Sequence, residues 1–250
     1  GCCLHDPSGR LVFADREVGP HPRLPAVADL NGDGQPELVV DNHGMQYHYD
    51  LAGERRMVAH VWGDTIPGRG DGCAHALPVI GPYGPDGSLR VVMTPGYTAL
   101  EVQGGEGERV AVRPFANAYE FAGRTAGIGA LRGASLWDVG MVSELGIFHC
   151  IDLETCRDRW TLDLGVATSS PISCCAGDLD GDGQDEFLVG LPDGRLVALA
   201  EDNGAGRVLW EMGFQAAVLD AIIADVDGDG LSEIVVDTED GYVRVLKGID

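Results

Sequence analysis

Positive charge is scarce in this sequence, and lysine is almost absent from it. Arginine and lysine together number 17 against 40 aspartates and glutamates, and Lys247 is the only lysine. The formal net charge of −23 argues against nucleic acid or an anionic membrane surface as a partner, because both are negatively charged themselves.

Long apolar runs and familiar catalytic motifs are lacking too. The best candidate run, Ala216–Ala224, is far shorter than the roughly 20 residues of a membrane-spanning helix and contains Asp220, so we expect no membrane insertion. The sequence has no Ser-His-Asp order, phosphate-binding loop, haem-attachment motif or zinc-ligand spacing. No active centre is therefore predicted from a motif.

Three short acidic loops are present instead, each followed by an apolar run: Asp29–Glu37, Asp178–Glu186 and Asp225–Glu233. In each loop, acidic or amide side chains occupy alternate positions, glycines permit a sharp turn, and a glutamate closes the loop. Oxygen ligands at this spacing predict three sites for a hard cation such as Ca²⁺. Three such ions, each adding two positive charges, would bring the net charge from −23 to −17, which is still acidic.

The loops belong to a repeat of about 50 residues. The second and third loops begin 47 residues apart, and the first and second begin 149 residues apart, close to three periods. Two units that lack the acidic ladder, Leu77–Met93 and Gly127–Asp138, fill that gap. Each unit has four short strand-like segments separated by turn signals such as Pro192-Asp-Gly194. This pattern predicts an all-β fold, a β-propeller of four-stranded blades.

We predict one propeller domain over residues 1–250, with blade units beginning near residues 24, 76, 126, 171 and 219. The last unit has only three strand-like segments. A strand within residues 9–14 can supply the fourth and close a ring of five blades, which would remove free sheet edges. The alternative is that the chain is part of a larger propeller of about six to eight blades.

The loops, their flanking strands and the period together resemble the FG-GAP repeat family of β-propellers, also called VCBS or integrin-α-like repeats. An EF-hand is excluded, because the glutamate expected at its twelfth position is replaced by Val40, Val189 and Val236. The resemblance implies structural calcium held in each loop by the first, third, fifth and ninth side chains and the seventh carbonyl. The implied ligands are Asp29, Asn31, Asp33, Gln35, Glu37, Asp178, Asp180, Asp182, Gln184, Glu186, Asp225, Asp227, Asp229, Leu231 and Glu233. Asn31 replaces an aspartate, so we expect the first site to be the weakest.

Seven cysteines beside calcium-type loops indicate an oxidising compartment, and hence a secreted or cell-surface protein. Cys150 and Cys156 flank a short turn between strand-like segments, which predicts a disulfide across that hairpin. The adjacent pairs Cys2-Cys3 and Cys174-Cys175 either form vicinal disulfides or pair elsewhere, and Cys73 is left over unless it pairs with one of them.

Three segments outside the repeat are candidates for function, because the repeat itself does not determine activity. Asn42–Tyr49 concentrates histidine and tyrosine, His60–His75 is a long loop between two blades, and Phe115–Phe121 is an aromatic cluster. The simpler interpretation of Asn42–Tyr49 is that its side chains pack within a hairpin. The simpler interpretation of Phe115–Phe121 is that its aromatic side chains pack in the core or within a loop.

The segment Gly70–His75 resembles part of the rhamnogalacturonan lyases built on propellers, although only a few residues match. A lyase needs a base for the C5 proton of a uronate and a cation to neutralise its carboxylate. The catalytic candidates are Arg69, His75, Tyr47 and His48.

We expect an extracellular, calcium-stabilised propeller that recognises a glycan or an extracellular protein, as adhesion modules do. The alternative is a polysaccharide lyase acting by β-elimination, or a fragment of one. The sequence does not decide between binding and catalysis, and it does not indicate an oligomeric state.

Overall fold

The computed structural model describes residues 2–15, 25–42, 45–50, 55–60, 77–96, 99–105, 107–114, 126–133, 135–167 and 172–247. Within these ranges all regular secondary structure is β-strand, so the predicted all-β class is confirmed. No helix in the described part of the chain is long and apolar enough to cross a membrane.

The described residues form twenty-one strands in six antiparallel sheets, in which strands that are consecutive in the chain pair with one another. A two-stranded sheet contains β1 (Cys2–His5) and β2 (Leu11–Asp15). Blade 1 contains β3 (Ala26–Ala28), β4 (Glu37–Asn42), β5 (Met45–Tyr49) and β6 (Arg55–His60). Blade 2 contains β7 (Leu77–Gly81), β8 (Arg90–Gly96), β9 (Ala99–Gly104) and β10 (Arg109–Pro114).

The remaining strands form three further blades. Blade 3 contains β11 (Gly127–Gly129), β12 (Asp138–Val142), β13 (Ile147–Asp152) and β14 (Arg157–Asp163). Blade 4 contains β15 (Ser173–Gly177), β16 (Glu186–Gly190), β17 (Arg195–Asp202) and β18 (Ala205–Gly213). Blade 5, as far as the described residues show it, contains β19 (Val218–Ala224), β20 (Glu233–Thr238) and β21 (Val243–Leu246). Five successive sheets of this kind make the five-blade β-propeller arrangement that the repeat predicted.

The described residues fall into two compact units. Blades 1 and 2 and the N-terminal hairpin belong to Gly1–Tyr83 and Gly87–Ala118, and blades 3 to 5 belong to Gly84–Asp86 and Tyr119–Asp250. In the first unit, Phe13 of the hairpin stacks on Tyr49 of blade 1 with ring centroids 5.4 Å apart.

The second strands of blades 3 and 4 are buried along their whole length. Every residue of β12 and of β16 is buried, which explains why their sequences are continuous rather than alternating in polarity. Phe148 and Phe187 meet between blades 3 and 4 with ring centroids 5.1 Å apart. A Cβ atom at Gly140 would lie 2.6 Å from the Phe187 ring, so the glycine allows this close approach.

A buried ion-pair network joins the same two blades. Asp138 is fully buried and accepts hydrogen bonds from Arg132 (2.8 Å) and Arg159 (2.9 Å). Arg132 also donates to Asp152 (2.8 Å), and Arg159 to Glu201 of blade 4 (2.6 Å). Burial raises the pKa of Asp138 to about 6 against the opposing effect of both guanidinium groups, so its carboxylate is ionised at pH 7.

The segment predicted to supply the fourth strand of blade 5, residues 9–14, contributes to β2, which pairs with β1. The reason is local: Asp6 accepts the Ser8 and Arg10 backbone amides at 2.9 and 3.0 Å, and Gly9 has a φ of 84°. These contacts close a tight hairpin between neighbouring segments, which needs no distant partner.

The predicted disulfide between Cys150 and Cys156 is wrong. No disulfide joins cysteines within the described residues, and Cys150 is a free buried thiol. The hairpin register places Trp160, not Cys156, opposite Cys150, while Cys156 lies in the turn with a φ of 53°. Cys174 and Cys175 form no vicinal disulfide either. Cys73 lies outside the described residues.

Candidate metal-binding loops

The three acidic loops connect the first two strands of blades 1, 4 and 5, and their backbones follow one plan. In loop two (Asp178–Glu186), Asp178 accepts the backbone amides of Gly181 (2.7 Å) and Gly183 (3.0 Å), whose φ angles of 79° and 85° favour glycine. Asp180 accepts the Asp182 amide at 3.1 Å. The side chains thus fold the loop with some of their oxygen atoms.

The last residue of each loop is a glutamate whose carboxylate holds the start of the loop by a hydrogen bond. Glu186 is 4% exposed and Glu233 is 3% exposed, although most of their loop neighbours are exposed. One oxygen of the closing glutamate accepts the amide of the loop's second residue: Glu37 from Leu30 (2.7 Å), Glu186 from Leu179 (2.8 Å) and Glu233 from Val226 (2.9 Å). The other carboxylate oxygen accepts from Asn31 in Glu37 (3.2 Å) and lies 3.3 Å from the Lys247 ammonium in Glu233.

Loop two brings its acidic side chains together, and no arginine or lysine among the described residues pairs with them. One oxygen each of Asp178, Asp180 and Glu186 lie within 4.8 Å of one another. This all-oxygen donor set fits a hard divalent cation such as calcium. Burial, with the nearby aspartates adding to it, raises the pKa of Glu186 to about 7. A cation held here would relieve that carboxylate repulsion.

Loop two also connects its blade to the next one. Asp185, which was not predicted to have a role, accepts the Ala130 amide of blade 3 at 2.7 Å. The eighth position of loop one is Pro36 and that of loop three is Ser232, so neither offers this carboxylate. Stabilising loop two therefore stabilises the junction of blades 3 and 4.

Loop three (Asp225–Glu233) contains a cation from the protein itself. Oxygens of Asp225, Asp227 and Asp229 lie within 4.8 Å of one another. The Lys247 ammonium forms an ion pair with Asp227 and lies 3.3 Å from Glu233. A metal ion entering this loop would have to displace or repel that ammonium group.

In loop one (Asp29–Glu37) a side-chain amide contacts the acidic groups, as the Lys247 ammonium does in loop three. Asn31 donates from Nδ2 to Asp33 and to Glu37, at 3.2 Å each. The amide hydrogens thus neutralise part of the acidic surface that an ion would otherwise use. This geometry supports the expectation that loop one is a weaker site than loop two, although the ligand roles themselves stay a prediction.

Replacing Lys247 tests whether loop three competes with its own lysine. We expect Lys247→Met to raise calcium affinity at loop three about thirtyfold, because a unit positive charge 4 Å from a divalent ion repels it by about 2 kcal/mol in water. Calorimetric titration of the Asp178→Asn background, in which loop two is weakened, measures this change. Arg207→Met, at an exposed arginine of β18, is the matched control, and an unchanged or reduced affinity in Lys247→Met would contradict the expectation.

The raised pKa of Glu186 predicts an unusual pH dependence in calcium-depleted buffer. Its carboxyl holds a proton up to about pH 7 in the folded state but only to its ordinary value of 4.5 when unfolded. Through this group, stability therefore rises as the pH falls from 7.5 to 5.5. As the pH falls over this range, the melting temperature of the wild type should rise relative to that of Glu186→Gln. The melting temperature of Glu211→Gln, a variant at an exposed carboxylate, should change with pH as that of the wild type does. If the melting temperature of Glu186→Gln also follows the wild type, the raised pKa of Glu186 is refuted.

The other candidate residues are not assembled into a site by the described structure. Tyr47 and His48 lie on β5 and are 8% and 3% exposed, so neither offers an open stacking surface. Their burial favours the hairpin-packing reading of Asn42–Tyr49. Arg69 and His75, with the rest of that loop, lie outside the described residues, as does Phe115–Phe121. The lyase alternative therefore stays a prediction.

Sequence reasoning overlooked Lys247 as part of loop three. Its rarity was visible, because it is the only lysine in a strongly acidic chain. Its place beside Asp227 depends on the pairing of β20 with β21, which the loop sequence does not reveal.

Solved structures share this fold. BBS1N in complex with ARL6DN, soaked with lead, matches with a TM-score of 0.65 and 12% identity over 90% of this chain and 65% of that chain. The mercury-soaked form of that complex gives a TM-score of 0.59 at 16% identity, over 90% of this chain and 61% of that one. Sqt1 from Saccharomyces cerevisiae gives 0.64 at 13% identity, over 98% of this chain and 65% of that one.

These likenesses show the fold alone, and the chain spans less than two thirds of the length of each chain it matches. No protein-family model matches the sequence, and no curated protein does. The resemblance to FG-GAP repeats stays a prediction.

Proposed function

We propose that this chain is an extracellular, calcium-stabilised β-propeller that acts as a protein-recognition module. The proposal rests on one observation, which is that the three loops have the same backbone arrangement. Their side chains fix backbone turns through hydrogen bonds such as Gly183 to Asp178 (3.0 Å), and the remaining oxygens suit a cation. Such chemistry stabilises a scaffold and does not turn over a substrate.

A protein partner is supported by the fold and by charge. One structure of similar fold, BBS1N, was determined in complex with a protein, ARL6DN. The net charge of −23, or −17 with three divalent ions, favours a basic partner surface and an association that weakens with salt. Exposed loops of this kind suit the high calcium concentration outside cells, where sites with dissociation constants of about 0.1–1 mM are used.

Parallel binding arrays test the proposal. The purified chain, in millimolar calcium, would be applied to an array of purified extracellular protein domains and to a glycan array. We expect binding to basic protein domains that declines between about 50 and 500 mM salt, since the Debye length shortens over this range. Binding confined to the glycan array would replace the proposal with a lectin function, and silence on both arrays would refute it.

A further inference from the structure

Loop one differs from the other two loops at one of its alternating acidic positions. The dipeptide Asn31-Gly32 stands where loops two and three have Asp180-Gly181 and Asp227-Gly228. Asparagine is a thermolabile residue, and its side-chain amide is most open to attack by the next backbone nitrogen when glycine follows, because glycine has no side chain to shield that nitrogen. The reaction ends in an aspartate. The position that lacks a carboxylate is therefore one that can acquire it spontaneously.

The attacking nitrogen is accessible in loop one. Gly32 and the residue before it are exposed, and a Cβ atom placed on Gly32 would meet no atom within 4 Å. The equivalent amides of Gly181 and Gly228 each donate to the first aspartate of their own loop at 2.7 Å. In loop one the first aspartate, Asp29, accepts the Asp33 amide instead (3.1 Å), and no described residue accepts the Gly32 amide.

The side-chain amide of Asn31 is held in a way that assists the attack. Its Oδ1 accepts the Asp33 amide at 2.8 Å, so a backbone donor already faces the oxygen on which negative charge develops when Cγ is attacked. Its Nδ2, the nitrogen that leaves, donates to Asp33 and Glu37 at 3.2 Å each. The nucleophile is thus unbonded while the electrophile is polarised.

We propose that Asn31-Gly32 is a site of spontaneous deamidation, and that the resulting aspartate completes the carboxylate set of loop one. The Gly32 nitrogen attacks Cγ of Asn31, the Cγ–Nδ2 bond breaks, and ammonia leaves with the proton of the Gly32 amide. Water then adds to Cγ of the cyclic imide, and the bond from Cγ to the Gly32 nitrogen breaks. One water is consumed and one ammonia is released, so no oxidant or reductant is needed.

The loop favours aspartate over the isomeric product. Addition of water to the other imide carbonyl gives isoaspartate, which places an extra carbon in the main chain of a tight turn. Aspartate needs no such change, because Asp180 and Asp227 already accept the amide two residues on, at 3.1 and 3.2 Å, as Asn31 does. Isoaspartate can close to the imide again, so a cation that binds only the aspartate form draws the mixture towards it.

The reaction would change loop one from the weaker kind of site to the stronger kind. It removes the amide hydrogens that occupy Asp33 and Glu37, and it adds one negative charge. We expect calcium affinity at loop one to rise about thirtyfold, the factor that one added unit charge about 4 Å from a divalent ion contributes in water. This inference rests on the proposed calcium-stabilised scaffold and adds a chemical control of one of its sites.

The first test follows the modification itself by peptide mass spectrometry of the whole chain, aged in warm, mildly alkaline calcium buffer. Position 31 should gain about one dalton, as aspartate and not as isoaspartate. The reference is Asn203-Gly204, the other asparagine–glycine pair of the sequence, where no described residue donates to the Asn203 oxygen. Position 31 should react about fivefold faster than position 203, since one hydrogen bond contributes about that factor.

Urea separates the effect of the fold from that of the dipeptide. In urea both pairs should react at equal rates, because neither retains its contacts, and fragmentation by electron transfer distinguishes aspartate from isoaspartate. No reaction at position 31 in the folded chain, a rate below that of position 203, an unchanged ratio of rates in urea, or mainly isoaspartate at position 31 would each overturn the proposal.

The second test measures the consequence for calcium by calorimetric titration. In the background Asp178→Asn with Asp225→Asn, both the aged chain and the fresh Asn31→Asp variant should bind calcium about thirtyfold more tightly than the fresh chain. Asn31→Gln, which keeps an amide but closes a ring much less readily, should not change on ageing. Calcium binding that is no tighter in Asn31→Asp would refute this inference alone. Absence of calcium binding in every variant and in the wild type would refute the calcium scaffold, whether or not position 31 deamidates.

Discussion

Calcium depletion is expected to lower the melting temperature of this protein by about 5–11 °C for each occupied loop at a 100-fold excess of calcium over the dissociation constant. Such an excess stabilises the folded state by about 2.7 kcal/mol per site, and 1 kcal/mol shifts the melting temperature of a domain of this size by about 2–4 °C. Loop two should contribute most, because its Asp178, Asp180 and Glu186 carboxylates converge without a competing ammonium group, and its Asp185 contacts the neighbouring blade at 2.7 Å. Calorimetry in chelator and in calcium at 100 times the dissociation constant, which is about 10–100 mM for the constants given above, measures the difference.

Variants show whether the loops cause that shift. Asp178→Asn should remove most of the calcium-dependent rise, and the double variant Asp178→Asn with Asp225→Asn should remove nearly all of it. Asp202→Asn, at an exposed aspartate outside the loops, should melt as the wild type does in both buffers. A melting temperature that is the same with and without calcium would exclude structural calcium.

The substitution Asp138→Asn is expected to destabilise the second unit by about 3 kcal/mol, because breaking a buried ion pair leaves the opposite charge without compensation. Asp138 is fully buried between two arginines, and an amide cannot neutralise either of them. Arg132 and Arg159 retain Asp152 and Glu201 as partners, so the effect is limited to the lost central carboxylate. Urea unfolding monitored by tryptophan fluorescence reports it directly, because Trp160 donates to Glu201 at 3.1 Å.

The control is an exposed ion pair in the same unit. Asp193 is 36% exposed at its side chain and pairs with Arg195 at 2.7 Å, so Asp193→Asn should change stability by less than about 1 kcal/mol. If Asp138→Asn is no more destabilising than this control, the network is not a determinant of stability.

The elements that the sequence revealed are those formed by contacts close in the chain. Each acidic loop is organised by hydrogen bonds within nine residues, such as Leu179 to Glu186, and its glycines adopt the positive φ that the turn requires. Continuous apolar runs such as β16 indicated strands covered on both faces. Repetition of these local patterns was sufficient to predict an all-β propeller of five blades.

Hairpin partners were harder to predict, because one sequence pattern fits several pairings. The strand at Leu11–Asp15 suited blade 5 by its position in the repeat, but the Asp6–Arg10 turn pairs it with β1. Cys150 and Cys156 are close in the chain, but the hairpin register places Trp160 opposite Cys150 and leaves Cys156 in the turn.

The sequence by itself determined the repeating blade and the acidic loops, since both depend on residues within one turn or one strand pair. Only the tertiary structure placed Lys247 beside Asp227, joined Arg132, Asp138 and Arg159 across strands, and left Val243 and Val245 exposed. These features depend on which distant segments pack together. Packing is decided by the sum of many weak contacts over the whole unit, which no short pattern of residues records.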